Sequence, residues 1–394
     1  MDKRIWLSLA HMSGHEQDFI AEAFETNWVV PLGPNVDAFE IDLKEFLEAD
    51  RPVVALSAGT AALHLGLVLL GVKPKDEVIC QSLTFAASAN PIAYLGADPV
   101  FVDSEPDTLN MSPALLEIAI KDRLKKTGRL PKAIIPVHIF GMPAKMKEIT
   151  AIAEKYEIPV LEDAAEALGS EIYGQKCGTF GNLAALSFNG NKMITTSGGG
   201  ALVCRTEEEA RLARFYATQA RDVAPYYQHS KIGYNYRMSN ICAGIGRGQM
   251  LVLKDHIARR RAIHTLYTKL LSETEGISVI QDPYQSWNSN HWLTCILVNS
   301  GETGISREDI RLGLDSANIE SRLFWKPLHL QPVFNDAPYY GDGVCEHLFD
   351  IGLCLPSGPT LTDDDIHKVV DTIKYLINKS KKRTIKRKEY SVVS

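Results

Sequence analysis

Lys192 ends the segment Ser187-Phe188-Asn189-Gly190-Asn191-Lys192 and is followed by the Thr- and Gly-rich run Thr195-Thr196-Ser197-Gly198-Gly199-Gly200. A lysine in such a loop between short strands is poorly placed for a surface ion pair and well placed to form an imine. A merely solvated lysine is the other reading of this segment alone. Asp163 follows the apolar run 159–161 and opens Ala164-Ala165-Glu166-Ala167-Leu168-Gly169. A carboxylate at the C-terminal end of a parallel strand lies where α/β sheets bind ligands, and it could hold a ring nitrogen protonated. Asp163 and Glu166 also have capping-box spacing, so a structural helix N-cap fits equally well. Ser57-Ala58-Gly59-Thr60-Ala61 sits between a strand and a helix, where N–H groups, hydroxyls and the helix dipole favour an anion such as phosphate. Ser57 or Thr60 simply capping the helix is the plainer alternative.

An anion cradle, then an acid about a hundred residues on, then a lysine after another strand together form the part list of pyridoxal phosphate chemistry: anchor, partner of the electron-sink nitrogen, and Schiff-base amine. Nucleotide-fold fingerprints are absent, with no G-x-x-x-x-G-K-[ST] and no G-x-G-x-x-G after a strand. Gly244, Gly246 and Gly248 lie in a helix-like, small-residue stretch and are expected to form a close packing face.

These residues need a scaffold that brings strand ends together. Apolar, β-rich runs at 53–56, 77–80, 99–102, 133–137, 159–161, 184–188 and 201–204 alternate with helical patterns at 61–70, 86–94, 115–126, 146–156 and 207–217. That alternation predicts an α/β fold with a mostly parallel sheet covered by helices. After about residue 250 the pattern changes to a basic helical stretch at 254–271, strands at 291–298 and 321–325, and helices at 307–316 and 363–378, which reads as a smaller α+β domain. The expected organisation is a large domain over 1–250, a small one over 251–378 and a basic, flexible tail over 379–394.

Composition sets the outer bounds. A chain of 394 residues with 45% hydrophobic and 23% charged residues is a globular protein, not a disordered or disulfide-stapled one. The net charge of −6 lacks the basic footprint of nucleic-acid binding. Seven basic residues cluster between Lys379 and Lys388, leaving −12 on the body; a solvated chain end is the expected reading. The seven cysteines are scattered without a Cys-x-x-Cys pair, which points away from a disulfide framework or zinc cluster and toward a reducing compartment. No run approaches a membrane span, and the N-terminus lacks a signal-peptide core, so a cytoplasmic location is expected.

With these segments in place, the chain resembles the DegT/DnrJ/EryC1/StrS family of sugar aminotransferases, a branch of the fold-type I, aspartate-aminotransferase-like pyridoxal phosphate enzymes. The resemblance runs from about residue 5 to about residue 377. It rests on "SAGTAALH" at Ser57, "SLTFAASANPI" at Ser82, "PVHIFG" at Pro136, "LEDAAEALGS" at Leu161, "SFNGNKMITTSGGG" at Ser187, "GYNYRMSN" at Gly233 and "KPLHLQP" at Lys326. It implies that Lys192 forms the Schiff base and shuttles the proton, while Asp163 faces the pyridinium nitrogen. Gly59, Thr60 and Ser187 would hold the phosphate, Phe85 would stack on the ring, and Glu166 would lie near its O3′ edge. Asn235 would reach the phosphate of a neighbouring protomer, making a homodimer with shared sites. His138 would order its loop, His329 would border the sugar-nucleotide pocket, and Arg237 is a candidate for a substrate phosphate.

Two departures narrow the resemblance: Glu166 stands where many members have Gln, and Asn189-Gly190-Asn191 where many have a His-Pro-Thr type sequence. Both are similar to the group that aminates C4 of UDP-2-acetamido-4-keto-6-deoxyhexoses for bacterial surface glycans, with L-glutamate as donor. Transfer to a 3-keto or dTDP-linked sugar is the near alternative. Of three more distant ones, the related sugar dehydratases carry His in place of Lys192; the others are a non-catalytic pyridoxal phosphate-binding regulator and a cofactor-free Schiff-base lyase.

Overall fold

Eight strands build the large sheet: β1 (Val53–Leu56), β2 (Glu77–Gln81), β3 (Asp98–Val102), β4 (Ala133–Ile135), β5 (Leu161–Asp163), β6 (Leu183–Ser187), β7 (Gly200–Val203) and, from far along the chain, Tyr339–Tyr340. The computed structural model describes residues 3–392 and the side chains of 3–382, so most of the basic run at 379–394 lies outside the residues whose side chains are described. The order is β1-β7-β6-β5 and β4-β2-β3-(Tyr339–Tyr340). Parallel bridges Ile134↔Val160 and Val137↔Asp163 join the two halves into one sheet. Every neighbouring pair is parallel except those made by β7, which runs against β1 and β6.

β5 lies two residues later than the apolar run predicts. Pro159 has no N–H to give, whereas the Asp163 N–H donates to Pro136 O at 2.9 Å, so pairing extends to the acid itself. The helix expected over 86–94 breaks into a 3-10 turn, Ala86–Ser88, and a short helix, Asn90–Tyr94. Pro91 sits in the first turn of the second helix, where its missing N–H cannot continue the ladder from the preceding turn, so a new helix starts there.

Helices α1 (Glu16–Glu25), α2 (Pro34–Leu47), α3 (Gly59–Leu69), α4 (Pro113–Thr127), α5 (Met146–Lys155), α6 (Glu207–Ala217) and α7 (Asn240–Met250) accompany this sheet. α3 is buried without a break from Ala61 through Leu67, as suits an apolar crossover packed on the sheet. α6 starts on a capping box in which Thr206 and Glu209 satisfy each other's backbone N–H groups. The glycines of α7 act as the spacing predicts: a Cβ on Gly248 would lie 2.6 Å from Glu16 N and one on Gly246 2.8 Å from the Phe39 ring. α7 therefore packs against α1 and α2 at backbone distance.

The C-terminal part forms an antiparallel sheet of β8 (Ile277–Val279), β9 (Thr294–Val298), β10 (Arg322–Leu323) and β11 (Gly352–Leu355), ordered β8-β9-β11-β10. Its core, including Ile263, Tyr267, Ile296, Leu353, Ile366 and Ile373, is shared with α8 (Leu253–Leu271), α9 (Arg307–Ser316) and α10 (Asp363–Val392). β9 begins at Thr294 rather than at residue 291, because the Trp292 N–H donates to Asn290 Oδ1 at 2.8 Å and His291 adopts a φ of 46°. This local turn removes the segment from the ladder. The N-terminal segment joins this sheet's layer through the parallel bridge Ile5↔Ile319. Among the described residues no helix is long and apolar enough to cross a membrane.

Candidate active site

The C-terminal ends of β1, β5 and β6 converge on a cavity of about 530 Å³ at the carboxyl edge of the large sheet. Gly59, Thr60, Phe85, Asp163, Glu166, Ser187 and Lys192 all line it. Seven of the residues singled out from sequence thus meet in one place.

Asp163 is the last residue of β5, and no helix follows it, so the capping reading of Asp163 and Glu166 does not hold. Its carboxylate accepts the Ser88 hydroxyl at 2.6 Å and the Ala165 N–H at 3.2 Å. The Thr84 and Ser88 hydroxyls lie 2.8 Å apart, so Asp163 ends a buried chain of three polar groups. Glu166 accepts the Phe140 N–H at 2.7 Å, and its other oxygen lies 3.1 Å from Lys192 Nζ. Burial pushes the Glu166 carboxyl above its ordinary range, with the lysine and the Phe140 N–H acting against that push. Phe140 reaches Glu166 from a left-handed conformation, φ 56°, uncommon for a bulky residue and found where surrounding structure holds it.

His138 is buried and orders its loop as expected. Its Nδ1 accepts the Ala144 N–H at 3.0 Å, and Nε2 faces Glu162 at 3.1 Å. Phe85 is 60% exposed at the cavity and lies edge-on to Trp325 with centroids 6.3 Å apart.

Three candidates do not join the cavity lining. Asn235 is exposed and bridged to Thr218, just past the end of α6. His329 is enclosed by Ser82 at 2.7 Å, Glu346 at 3.0 Å and the stacked Tyr339 ring. Arg237 pairs with Glu40 at 2.8 Å and donates to Ala55 O, which removes its guanidinium from the substrate role expected of it. Glu40 also accepts the Ala55 N–H at 2.8 Å and Arg214 at 2.7 Å, so one carboxylate ties α2 to β1, α6 and the Arg237 segment. Glu40→Ala is expected to cost about 3 kcal/mol of stability, because it strands a guanidinium whose side chain is only 9% exposed. The check is a lower urea midpoint with an unchanged slope.

Sequence reasoning missed Ser88, Trp292, Arg322 and Trp325. Ser88 lies inside a quoted motif, yet nothing in its spacing marks it as the partner of Asp163. Trp292, Arg322 and Trp325 line the cavity from the C-terminal half of the chain, and no local pattern announces them.

The residues present fit pyridoxal phosphate. α3 begins at Gly59 without a side-chain cap, leaving first-turn N–H groups free for an anion. Ser57, Thr60 and Ser187 flank this helix start, and none of their hydroxyls is spent on a hydrogen bond among the described residues. A Cβ on Gly59 would lie 2.9 Å from Ser187 Cβ, so only glycine lets these two sides of the cradle come together. An amine and a carboxylate at the far end complete the set that the cofactor requires.

Comparison with known proteins agrees. Residues 11–374 match the model of the DegT/DnrJ/EryC1/StrS aminotransferase family. EpsN of Bacillus subtilis (strain 168), named as a pyridoxal phosphate-dependent aminotransferase, is 49% identical over 96% of this chain and 97% of its own. The GDP-perosamine synthase of Caulobacter vibrioides is 35% identical over 93% of this chain and 96% of its own. A crystal structure of a DegT DnrJ EryC1 StrS aminotransferase from Brucella abortus superposes with a TM-score of 0.85 at 32% identity, covering 91% of this chain and 94% of that one. Sequence, architecture and cavity thus agree that the chain belongs to the DegT/DnrJ/EryC1/StrS aminotransferase family, whose fold-type I scaffold binds pyridoxal phosphate.

Proposed function

We propose that this aminotransferase moves the amino group of L-glutamate to the C4 keto group of a UDP-2-acetamido-4-keto-6-deoxyhexose, for bacterial surface glycan synthesis in the cytoplasm. The observation that carries the reaction type is the Lys192 amine held 3.1 Å from Glu166 in the same cavity as Asp163 and the start of α3. Bound pyridoxal phosphate supplies an electron sink that makes the C–H bond beside the migrating nitrogen acidic. The N–H groups at Gly59 and the hydroxyls of Thr60 and Ser187 would hold the phosphate, Phe85 would cover the ring, and Asp163 would hold the ring nitrogen protonated. Lys192 Nζ, the amine in the cavity, would take the proton from the donor carbon as base and give it up again as acid. Glutamate leaves as 2-oxoglutarate, and the ketosugar takes up the nitrogen while Lys192 moves the proton in reverse.

The resemblance gives Asn235 to the phosphate site of a second copy, and its exposure in its own chain supports the reading of a homodimer with shared sites. Support for the acceptor comes from Glu166 and Asn189-Gly190-Asn191 at the positions that vary within the family. A GDP-linked 4-ketosugar is the second reading, favoured by the GDP-perosamine synthase among the relatives. A panel of UDP-, GDP- and dTDP-linked 4-keto and 3-keto sugars with glutamate, analysed by mass and NMR, decides. A C4 amine on the UDP-2-acetamido sugar is the expected product. Transfer at C3, or only onto dTDP-sugars, overturns the acceptor.

A further inference from the structure

Lys192 lies in neither helix nor strand. Its loop is closed by three backbone bonds of 2.9 Å: Phe188 N–H to Gly199 O, Thr196 N–H to Phe188 O and Lys192 N–H to Asn189 O. What holds the lysine itself comes from elsewhere in the chain. The carbonyl of Asn191, the residue just before it, accepts the Ser8 hydroxyl at 2.8 Å and the Trp292 indole N–H at 2.7 Å. Both lone pairs of that oxygen are then used. Lys192 Nζ also lies over the Trp292 ring, 4.1 Å from its centroid.

Behind them sits Arg260 of α8, 1% exposed. It donates to Trp292 O at 2.6 Å, Ser357 O at 3.0 Å and Ser8 Oγ at 3.0 Å. Its remaining nitrogen, Nε, has no partner. No carboxylate pairs with it among the described residues, and burial pushes its pKa down to about 9. An unpaired buried cation is costly. A neutral side chain would fill the space more cheaply, but it could not donate to three oxygens from three separate segments at once.

We propose that Ser8, Arg260 and Trp292 form a clamp that positions Lys192: two hydrogen bonds fix the carbonyl before the lysine, and the indole face guides the amine, so the side chain swings from a fixed pivot. All three are positioning residues, and the proposal rests on Lys192 being the reactive amine.

Four single variants of the holoenzyme and one double variant test it. Trp292→Phe keeps a ring and removes one donor, Ser8→Ala removes the other, Trp292→Leu removes ring and donor, and Arg260→Lys keeps the charge and loses the planar fork. The readout is the glutamate half reaction, followed by the cofactor's own absorbance. Ser8→Ala, Trp292→Phe and Arg260→Lys are each expected to slow it by about 10-fold, and Trp292→Leu and the Ser8→Ala/Trp292→Phe pair by about 100-fold, the cost of a misplacement on the order of an ångström. The glutamate KM and the cofactor retained per chain stay at wild-type values.

Wild-type rates in Trp292→Leu and the paired variant overturn the clamp, as does a loss confined to KM or to cofactor content. Where Trp292→Leu fails to fold, the Phe and Ala variants decide, since they leave the ring space filled. Borohydride labelling of the wild-type enzyme separates the two levels. A label on a residue other than Lys192 removes the premise, whereas a label on Lys192 with full-speed variants removes only the clamp.

Discussion

Lys192→Ala is expected to abolish transamination, lowering kcat by at least about 10⁴-fold, because the substitution removes the amine proposed both to form the imine and to carry the proton. Lys192→Arg should be equally inactive: it keeps the charge, but a guanidinium neither loses its proton nor forms the imine. Borohydride followed by peptide mapping is the direct check. Wild-type enzyme should carry the reduced cofactor on the peptide containing Lys192, and the variant should carry none. A label that persists in Lys192→Ala, or turnover within 10-fold of wild type, would refute the assignment.

The same substitution has a consequence for stability. Glu166 is buried, and its carboxyl is already pushed above the ordinary value of 4.5 by desolvation, with Lys192 opposing the shift. Without the amine the push is unopposed by any charge within hydrogen-bond reach. The folded variant then holds a proton that the unfolded chain has released, so stability falls as pH rises above about 4.5. Urea midpoints of apo Lys192→Ala should decline with pH more steeply than those of the apo wild type. The added Glu166→Gln change should remove the excess slope, since it leaves nothing to titrate.

Asp163→Asn carries the second large effect, a loss of about 10² to 10³ in the rate of the glutamate half reaction, typical of removing one preorganised electrostatic partner. The substitution keeps the shape of the side chain. The backbone of residue 163 stays anchored by its N–H to Pro136 O and by the His138 N–H at its own carbonyl. The one oxygen that remains can meet the Ala165 N–H, and the new amide NH2 then faces Ser88, whose hydroxyl can accept where it had donated. What disappears is the negative charge proposed to hold the ring nitrogen protonated, so cofactor and borohydride label on Lys192 should remain while proton removal slows. An unchanged half-reaction rate would exclude Asp163 from that role. Loss of the cofactor altogether would make it an anchor instead.

How far these residues can be read without coordinates depends on how local their signals are. Ser57 to Thr60, Asp163 and Ser187 to Lys192 stand at strand ends, where a parallel sheet gathers its ligand-binding side chains, and the turn chemistry that puts them there is written within a few residues. Asp163 and Glu166 show the limit of that reading. Their spacing suits a helix cap as well as a binding site, and only the turn that follows β5, with no helix after it, excludes the cap. Arg237 stands in a family motif, yet its charge is engaged by Glu40, 197 positions earlier in the chain.

Strand and helix alternation and glycine placement were enough to predict the α/β architecture, because propensity, periodicity and turn geometry act over short stretches of chain, and the ordered motifs, through the resemblance they carry, pointed to the cofactor and to seven residues that line one cavity. The partners of those residues were beyond their reach. Ser8 and Trp292 lie 183 and 101 positions from the Asn191 carbonyl they share, and Arg260 meets both only after α8 docks beside the lysine loop. Such pairings depend on packing between segments with no mutual signal in their order, so folding alone selects which buried donor meets which oxygen.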